Sequence, residues 1–205
     1  MHSPGSRVYG VYVSTRDRIL RLTRRLFDQK GIEAVSLRNV ADKAGITAMA
    51  IYRHFENKDA LIDALVLDGL EEWSARVEAL PPCAGLAKIE QIGEAFLEFA
   101  LKEPRRFEAA FLLPSRVARR YPDDFIAGRS TAGNIQLEAI EQAIEEGRLK
   151  ADSAIEVMMT NAALSQGLIT LYRAGRIAGG EEEFRALYRR AMRRSMKSFL
   201  SENAT

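Results

Sequence analysis

The chain has 205 residues, of which 47% are hydrophobic and 28% are charged, and this balance is typical of a globular protein with one sizeable core. The single cysteine, Cys83, excludes an internal disulfide framework and a zinc site built from several cysteines. No apolar run approaches the roughly 18 residues of a membrane span, and the first residues lack a secretory signal pattern. We therefore expect a cytoplasmic protein that does not interact with a membrane.

The net charge of +2 is unevenly distributed along the chain. Residues 1–58 contain eleven Lys or Arg against five Asp or Glu, whereas the remainder is net acidic. A basic amino-terminal quarter on a mildly acidic body suggests that a polyanion binds at one end of the molecule. Taken alone, an ordinary solvated face would explain this excess equally well.

Helical patterns recur throughout the chain, and no alternating run flanked by hairpin turns indicates a strand. The sequence therefore predicts an all-α fold. Ser36 and Thr47 are placed as helix caps, Gly45 ends a helix, and Pro114 should kink or interrupt another one. In chain order, the predicted segments are a flexible arm over 1–12 and helices from 14 or 15 to 30, over 37–44, 48–55, 58–80, 86–102, 104–119, 123–147, 152–174 and 181–200.

These segments predict two domains joined by a linker helix. The three short helices form one compact head over residues 13–57. Asn57 caps the long helix that begins at Lys58 and belongs to a larger helical body over 58–205.

Residues 37–55 fit a helix-turn-helix motif. Two helices that cross steeply leave room only for a small side chain at Ala41, and Gly45 can adopt the left-handed conformation of a tight turn. Three apolar residues close the small core beneath the motif. They are Val40, Ile46 and Ile51.

The second helix of this motif exposes a ridge whose side chains suit a DNA groove. Small and apolar residues at its start can contact thymine methyl groups, Arg53 can reach guanine or phosphate, and polar residues can hold phosphates. Each residue also has an ordinary explanation: Tyr52 as a half-buried aromatic, His54 as a surface or capped histidine. An ordinary helix surface would explain Met49, and the first position of a capped helix would explain Lys58. The base-facing candidates are Ala48, Met49, Ala50 and Arg53, and the phosphate candidates are Tyr52, His54 and Lys58.

The run TRDRILRLTRRLFDQKGIEAVSLRNVADKAGITAMAIYRHFENKDALIDAL, residues 15–65, resembles the amino-terminal domain of TetR-family transcriptional regulators. The elements that carry the resemblance are LFDQKG, SLRNVADKAGI and IYRHFENKDAL. It implies a DNA-binding head whose linker helix shifts when a ligand binds. The DNA contacts that it implies are Thr47, Ala48, Met49 and Arg53 near the bases, and Ser36, Arg38, Tyr52, His54 and Lys58 on phosphates.

The body carries apolar and aromatic residues interrupted by polar ones on the helix over 152–174. Core packing explains most of the apolar residues, but buried polar side chains need partners. A largely apolar ligand pocket or a helix-packed subunit interface would both provide them, and the sequence does not choose between the two. The candidate ligand contacts are Phe96, Phe99, Phe111, Met158, Asn161, Ser165 and Tyr172.

The helices over 152–174 and 181–200 also suit a four-helix seam between two subunits. The first contributes the small residues Ala162, Ala163 and Gly167, and the second has one apolar side among many arginines. TetR-like proteins dimerise in this way, so the resemblance implies a homodimer on an inverted-repeat double-stranded operator. We expect the arginine-rich face of the last helix to be solvated or paired with acids.

Two other classes of protein compete with this interpretation. An enzyme is disfavoured because the chain has two histidines, one cysteine, no glycine-rich phosphate loop and no metal-ligand spacing. We therefore expect no catalytic residue, no metal and no cofactor. An all-α adaptor or carrier that does not use DNA is the second alternative. The favoured hypothesis is a repressor that releases its operator when a small, mostly apolar effector binds, although an activator would use the same site.

Overall fold

The computed structural model describes residues 14–150 and 152–202, and the predicted arm over 1–12 lies outside them. Within these residues the all-α prediction is confirmed, since the secondary structure is helical apart from an isolated bridge between Leu149 and Leu200. No helix in these ranges has both the length and the apolarity needed to cross a membrane. The helices are α1 (Thr15–Lys30), a 3₁₀ turn (Ile32–Ala34), α2 (Leu37–Ala44), α3 (Ala48–Tyr52), α4 (Lys58–Glu78), α5 (Gly85–Lys102), α6 (Pro104–Phe111), α7 (Asp123–Ile126), α8 (Thr131–Glu145), α9 (Ala154–Arg173) and α10 (Glu181–Phe199).

Three predicted helices end earlier or divide. α3 stops at Tyr52 instead of Phe55, because the chain turns there and brings Phe55 into the core with 2% of its surface exposed. The helix predicted over 104–119 stops at Phe111, ahead of Pro114. Proline has no backbone N–H, so it cannot donate the hydrogen bond that a continuing helix needs.

The helix predicted over 123–147 is two helices. Gly128 adopts the left-handed region with φ +67° between α7 and α8, and the Ser130 hydroxyl accepts the Gly133 amide at 3.1 Å. A helix stop and a new N-cap therefore lie side by side, and the prediction of one continuous helix is wrong.

The chain forms two compact units, one ending at Leu65 and one beginning at Val66. This division falls inside α4, whereas the sequence suggested a boundary at 57/58. In the first unit α1 packs against α2, and α2 packs against α3. Its core holds Ile19, Leu26, Phe27, Val35, Val40, Ala41, Ile51 and Phe55.

The predicted caps of the first unit are confirmed. The Ser36 hydroxyl accepts the Asn39 amide at 3.2 Å, and the Thr47 hydroxyl accepts the Ala50 amide at the same distance. Asn57 accepts the Ala60 amide at 2.8 Å, and Gly45 ends α2 with φ +63°. Local residue choice therefore fixes the start of each helix from α2 to α4.

In the second unit α5 is central and packs against α6, α8 and α9, while α9 packs against α8 and α10. α4 and α6 approach closely at Gly69, where an added Cβ would lie 3.0 Å from the Ala110 backbone nitrogen. Next to this crossing is an aromatic cluster from three helices. Its members are Trp73, Phe96, Phe99, Phe107 and Phe111.

Ion pairs join α10 to α5 along one side of the second unit. Arg185 pairs with Glu98, and Arg189 donates two hydrogen bonds to Glu94 at 2.8 and 2.9 Å. The Arg185 guanidinium and then Lys102 hold the pKa of Glu98 down at about 2. Part of the arginine-rich face of the last helix is therefore paired with acids, as expected from the sequence.

Candidate nucleic-acid interface and ligand cavity

The short helix α3 is divided into a buried side and an exposed side. Ile51 is fully buried, whereas Met49 and Tyr52 expose 71% and 54% of their surfaces. Arg53 and His54 follow in the turn after the helix, and both are exposed. An apolar methionine and an aromatic ring exposed side by side on a helix are unusual for a surface with no partner.

The predicted DNA contacts lie between the start of α2 and the start of α4, all within the first unit. Ala48 begins α3, and Lys58 is exposed at the first position of α4. Ser36 is half-buried and Arg38 is exposed. The Ser36 and Thr47 hydroxyls cap helices through their oxygens, so each hydrogen stays available for donation to a phosphate.

Two arginines of α1 have roles that the sequence did not reveal. The Arg18 guanidinium donates to the Ala44 carbonyl, the last of α2, at 2.6 Å. The Arg16 guanidinium lies over the Phe55 ring, 5.2 Å from its centroid. Charged donors often satisfy the free carbonyls at a helix end, and cations favour aromatic faces. These side chains therefore hold α1 against the end of α2, where the turn of the motif begins, and against Phe55, where the motif ends.

The second unit contains a cavity of about 1480 Å³. Residues from each of the helices α4 to α10 line it. Trp73, Gly93 and Tyr188 are lining residues that the sequence did not single out as ligand contacts. Of the predicted contacts, five lie in the lining: Phe96, Phe111, Met158, Asn161 and Ser165.

The other two predicted contacts are absent from the lining. Phe99 is buried in the aromatic cluster and stacks on Trp73, with ring centroids 5.9 Å apart. Tyr172 stacks on Phe184 at 4.0 Å between centroids. Their aromatic character reflects core packing, because both rings are occupied by other rings instead of facing open space.

Three buried polar side chains lie together in the cavity lining. Ser165 Oγ is 2.6 Å from Tyr188 Oη, which donates to the Gly93 carbonyl at 3.0 Å. On the same helix as Ser165, Asn161 donates to the Val157 carbonyl at 3.1 Å and accepts from Ser195 Oγ at 3.2 Å. Asn161, Ser165 and Tyr188 are the inner polar cluster.

Burial raises the pKa of Tyr188 to about 12, although its hydrogen bond with Ser165 opposes the shift. The phenol is therefore protonated at neutral pH. Across the described ranges, no group of His, Cys, Asp and Glu side chains has the arrangement of a metal site.

An exposed recognition helix on a three-helix head, followed by a helical body with a large cavity, defines the class of ligand-responsive DNA-binding regulators. Residues 19–65 match the family described as "Bacterial regulatory proteins, tetR family". Residues 89–195, just over half of the chain, match the "Tetracyclin repressor-like, C-terminal domain". The chain belongs to the TetR family of transcriptional regulators, and it is a DNA-binding regulator, not an enzyme.

The comparisons with individual proteins agree with this assignment. The chain is 24% identical over 151 residues to the HTH-type transcriptional repressor KstR2 of Mycolicibacterium smegmatis, covering 71% of this chain and 72% of that protein. A Rhodococcus sp. RHA1 protein of unknown function matches 96% of this chain and 100% of its own, at 20% identity and a TM-score of 0.75. The SmeT–triclosan complex matches 93% of each chain at 16% identity and a TM-score of 0.60. At such identities the two solved structures show the shared fold alone.

Proposed function

We propose that this protein is a homodimeric repressor that binds an inverted-repeat operator and releases it when a small, mostly apolar molecule fills the cavity. The observation that carries the proposal is the course of α4 through the chain. This single helix begins at Lys58, a predicted phosphate contact, and continues to Trp73 in the cavity lining. A ligand that favours a different tilt of α4 therefore has a direct way to affect the DNA-binding residues.

The proposed DNA contacts follow from exposure and chemistry. Met49 and Arg53 are exposed where a recognition helix meets base edges, while Tyr52, His54 and Lys58 are exposed polar groups suited to phosphates. Residues that contact bases vary with the operator, so phosphate contacts are the firmer part of this assignment.

The cavity supports the effector part of the proposal. Most of the surface that lines it is apolar, as is typical of small-molecule sites, and the lining also includes charged side chains such as Glu90, Arg148 and Arg193. SmeT, which shares this fold, has been solved as a complex with triclosan.

The test of the proposal starts from an operator selected out of random duplex DNA with the purified protein. Apolar compounds that raise the melting temperature of the protein are then added to the complex, and operator affinity is measured by mobility shift. A coupling free energy of about 1 to 3 kcal/mol would lower affinity roughly 5- to 150-fold, and DNA would weaken ligand binding by the same factor. The proposal is overturned if no selected sequence binds, or if every stabilising compound leaves affinity for the operator unchanged.

The proposed subunit interface involves α9 and α10. Ala162, Ala163 and Gly167 of α9 are exposed, and Leu171 on the same helix exposes 45% of its surface. Small residues let two helices approach closely, and a dimer would cover the exposed leucine.

We expect Ala163→Arg to convert the dimer to a monomer, because a long charged side chain would hold the helices apart and be buried without a partner. Sedimentation velocity at micromolar concentration measures the change. Ala87→Arg on the exposed side of α5 is the matched control and should stay dimeric. Two monomeric variants, or a monomeric wild type, would contradict the interface.

We expect Lys58→Ala to weaken binding to all DNA sequences by a similar factor. A lost phosphate contact should also reduce the slope of log affinity against log salt by about one unit. Mobility shifts between about 50 and 200 mM salt measure the slope. A variant with the wild-type slope would remove Lys58 from the phosphate contacts.

Arg18→Ala should also weaken DNA binding, but unlike Lys58→Ala it should not change the salt slope. We expect it to lower DNA affinity about three- to tenfold, because α2 loses a charged hydrogen bond at its end, and to leave the salt slope as in the wild type. Arg21→Ala, on the exposed surface of the same helix, controls for the removal of one positive charge. A slope reduced by one unit in Arg18→Ala would show that this side chain contacts phosphate instead of positioning α2.

A further inference from the structure

The inner polar cluster is nearly inaccessible within a cavity that is otherwise largely apolar. Asn161, Ser165 and Tyr188 expose 3%, 4% and 1% of their surfaces, yet all three belong to the lining. Buried polar groups of this kind are the ones that fix a ligand's orientation. Whether they can bind a hydrogen-bond donor or an acceptor of the ligand depends on which hydrogen bonds their own hydrogens already make within the protein.

The donor can be assigned in each of the hydrogen bonds that the Tyr188 and Ser165 hydroxyls make. The Gly93 carbonyl oxygen can only accept, so the single hydroxyl hydrogen of Tyr188 is donated to it. Ser165 must then be the donor in its 2.6 Å contact with Tyr188 Oη. Both hydroxyl hydrogens are committed within the protein, and only oxygen lone pairs remain for a ligand.

Asn161 is committed in the same way. Its amide nitrogen donates to the Val157 carbonyl and to the Met196 sulfur, both at 3.1 Å, which uses both amide hydrogens. Its amide oxygen accepts from Ser195 Oγ at 3.2 Å, so the Ser195 hydrogen is also used. The cluster as a whole therefore offers acceptors and no free hydrogen.

An ionised ligand group fits this cluster poorly. Its members are neutral, since the pKa of Tyr188 is raised by burial, and an unpaired charge is costly to bury. A carbonyl or carboxylate oxygen would face lone pairs without a donor. A neutral group with its own hydrogen would satisfy them.

We propose that the effector carries a hydroxyl group on an otherwise apolar skeleton, and that this hydroxyl donates its hydrogen to the acceptors of the inner polar cluster. The inference rests on the proposed function, because it takes the cavity as the effector site. It narrows the ligand group held at the inner polar cluster to a hydroxyl, as distinct from the oxygen of a ketone, an ester or a carboxylate. Charged side chains elsewhere in the lining, Arg148 and Arg193 among them, lie outside this cluster.

Three probes of matched skeleton test the proposal by calorimetric titration of the full-length protein without DNA. Cyclododecanol can donate a hydrogen bond, cyclododecanone can only accept, and cyclododecanecarboxylate is ionised. We expect the alcohol to bind about five- to tenfold more tightly than the ketone, the ratio expected for one net hydrogen bond. The carboxylate should bind more weakly than the alcohol.

Two variants test whether the preference for the alcohol comes from the hydrogen bonds of the cluster or only from the shape of the cavity. In Tyr188→Phe the Ser165 hydrogen loses its acceptor and becomes available to a ligand, so the preference for the alcohol should narrow to about twofold or less. In Ser165→Ala the cluster loses one acceptor, but the Tyr188 hydrogen is still donated to Gly93 and its oxygen still accepts, so the preference for the alcohol should narrow less than in Tyr188→Phe. Should Tyr188→Phe fail to fold, the comparison of probes on the wild type still decides the question.

The outcomes distinguish this inference from the proposed function. If the ketone or the carboxylate binds as tightly as the alcohol, or if none of the three probes binds, the hydroxyl assignment is overturned. Release of the operator by other ligands would then still support the proposed function. If the alcohol is preferred but leaves operator affinity unchanged, the hydroxyl preference of the inner polar cluster stands and the repressor mechanism fails.

Discussion

Phe107→Ala is expected to destabilise the protein by about 3–5 kcal/mol, a large part of the roughly 5–15 kcal/mol that stabilises a typical domain. Phe107 is fully buried, and its ring lies 5.0 Å from that of Phe96 and 5.2 Å from that of Phe111, centroid to centroid. Removing it leaves a hole among rings from two helices that cannot easily close. Urea denaturation followed by far-ultraviolet circular dichroism measures the loss.

Phe125→Ala is the matched control for this substitution. Phe125 lies on the short helix α7 and is only half-buried, so the same chemical change should cost clearly less. Equal losses in the two variants would mean that the aromatic cluster is not the main source of stability in the second unit.

Gly93→Phe is expected to retain operator binding within about twofold while the roughly 5- to 150-fold effect of a ligand falls below about threefold. Gly93 lies inside α5 and in the cavity lining, and a Cβ added there would have no heavy atom within 4 Å. The phenyl ring would therefore enter the space beside the inner polar cluster instead of pushing backbone apart. Mobility shifts with and without ligand measure both quantities.

Gly93→Ala controls for the loss of glycine. It changes the backbone freedom of α5 in the same way but adds only a methyl group, so its ligand response should resemble that of the wild type. A full response in Gly93→Phe would show that the effector does not use this part of the cavity.

The parts of the fold that depend on neighbouring residues could be predicted from the sequence. Ser36, Thr47 and Asn57 cap their helices through amides three residues away, and Gly45 ends α2 by its own conformation. The exposure of Tyr52 on α3 likewise follows from helical spacing. The division between α7 and α8 also has local signals in Gly128 and Ser130, but a lone glycine is tolerated inside a helical pattern and does not by itself predict a break.

The parts that depend on packing could not be predicted. The contact of Arg18 with the Ala44 carbonyl joins residues 26 positions apart, and that of Tyr188 with Gly93 joins residues 95 apart. Helical spacing identified aromatic residues in the body, but not that Phe99 would face other rings while Phe96 faced the cavity. Facing partners are set by the crossing of helices, which spacing within one helix does not determine.

The position of Trp73 gives the protein a built-in optical reporter. It is the chain's single tryptophan, it is 8% exposed, and its indole both contacts Phe96 edge-on at 5.3 Å and lines the cavity. The tryptophan fluorescence of the protein therefore originates entirely in the second unit. Emission should shift or be quenched when a molecule enters the cavity, and substitutions at Lys58 should leave the spectrum of the free protein as it is. Unfolding curves recorded by this emission would describe the body alone and would miss any separate melting of the head.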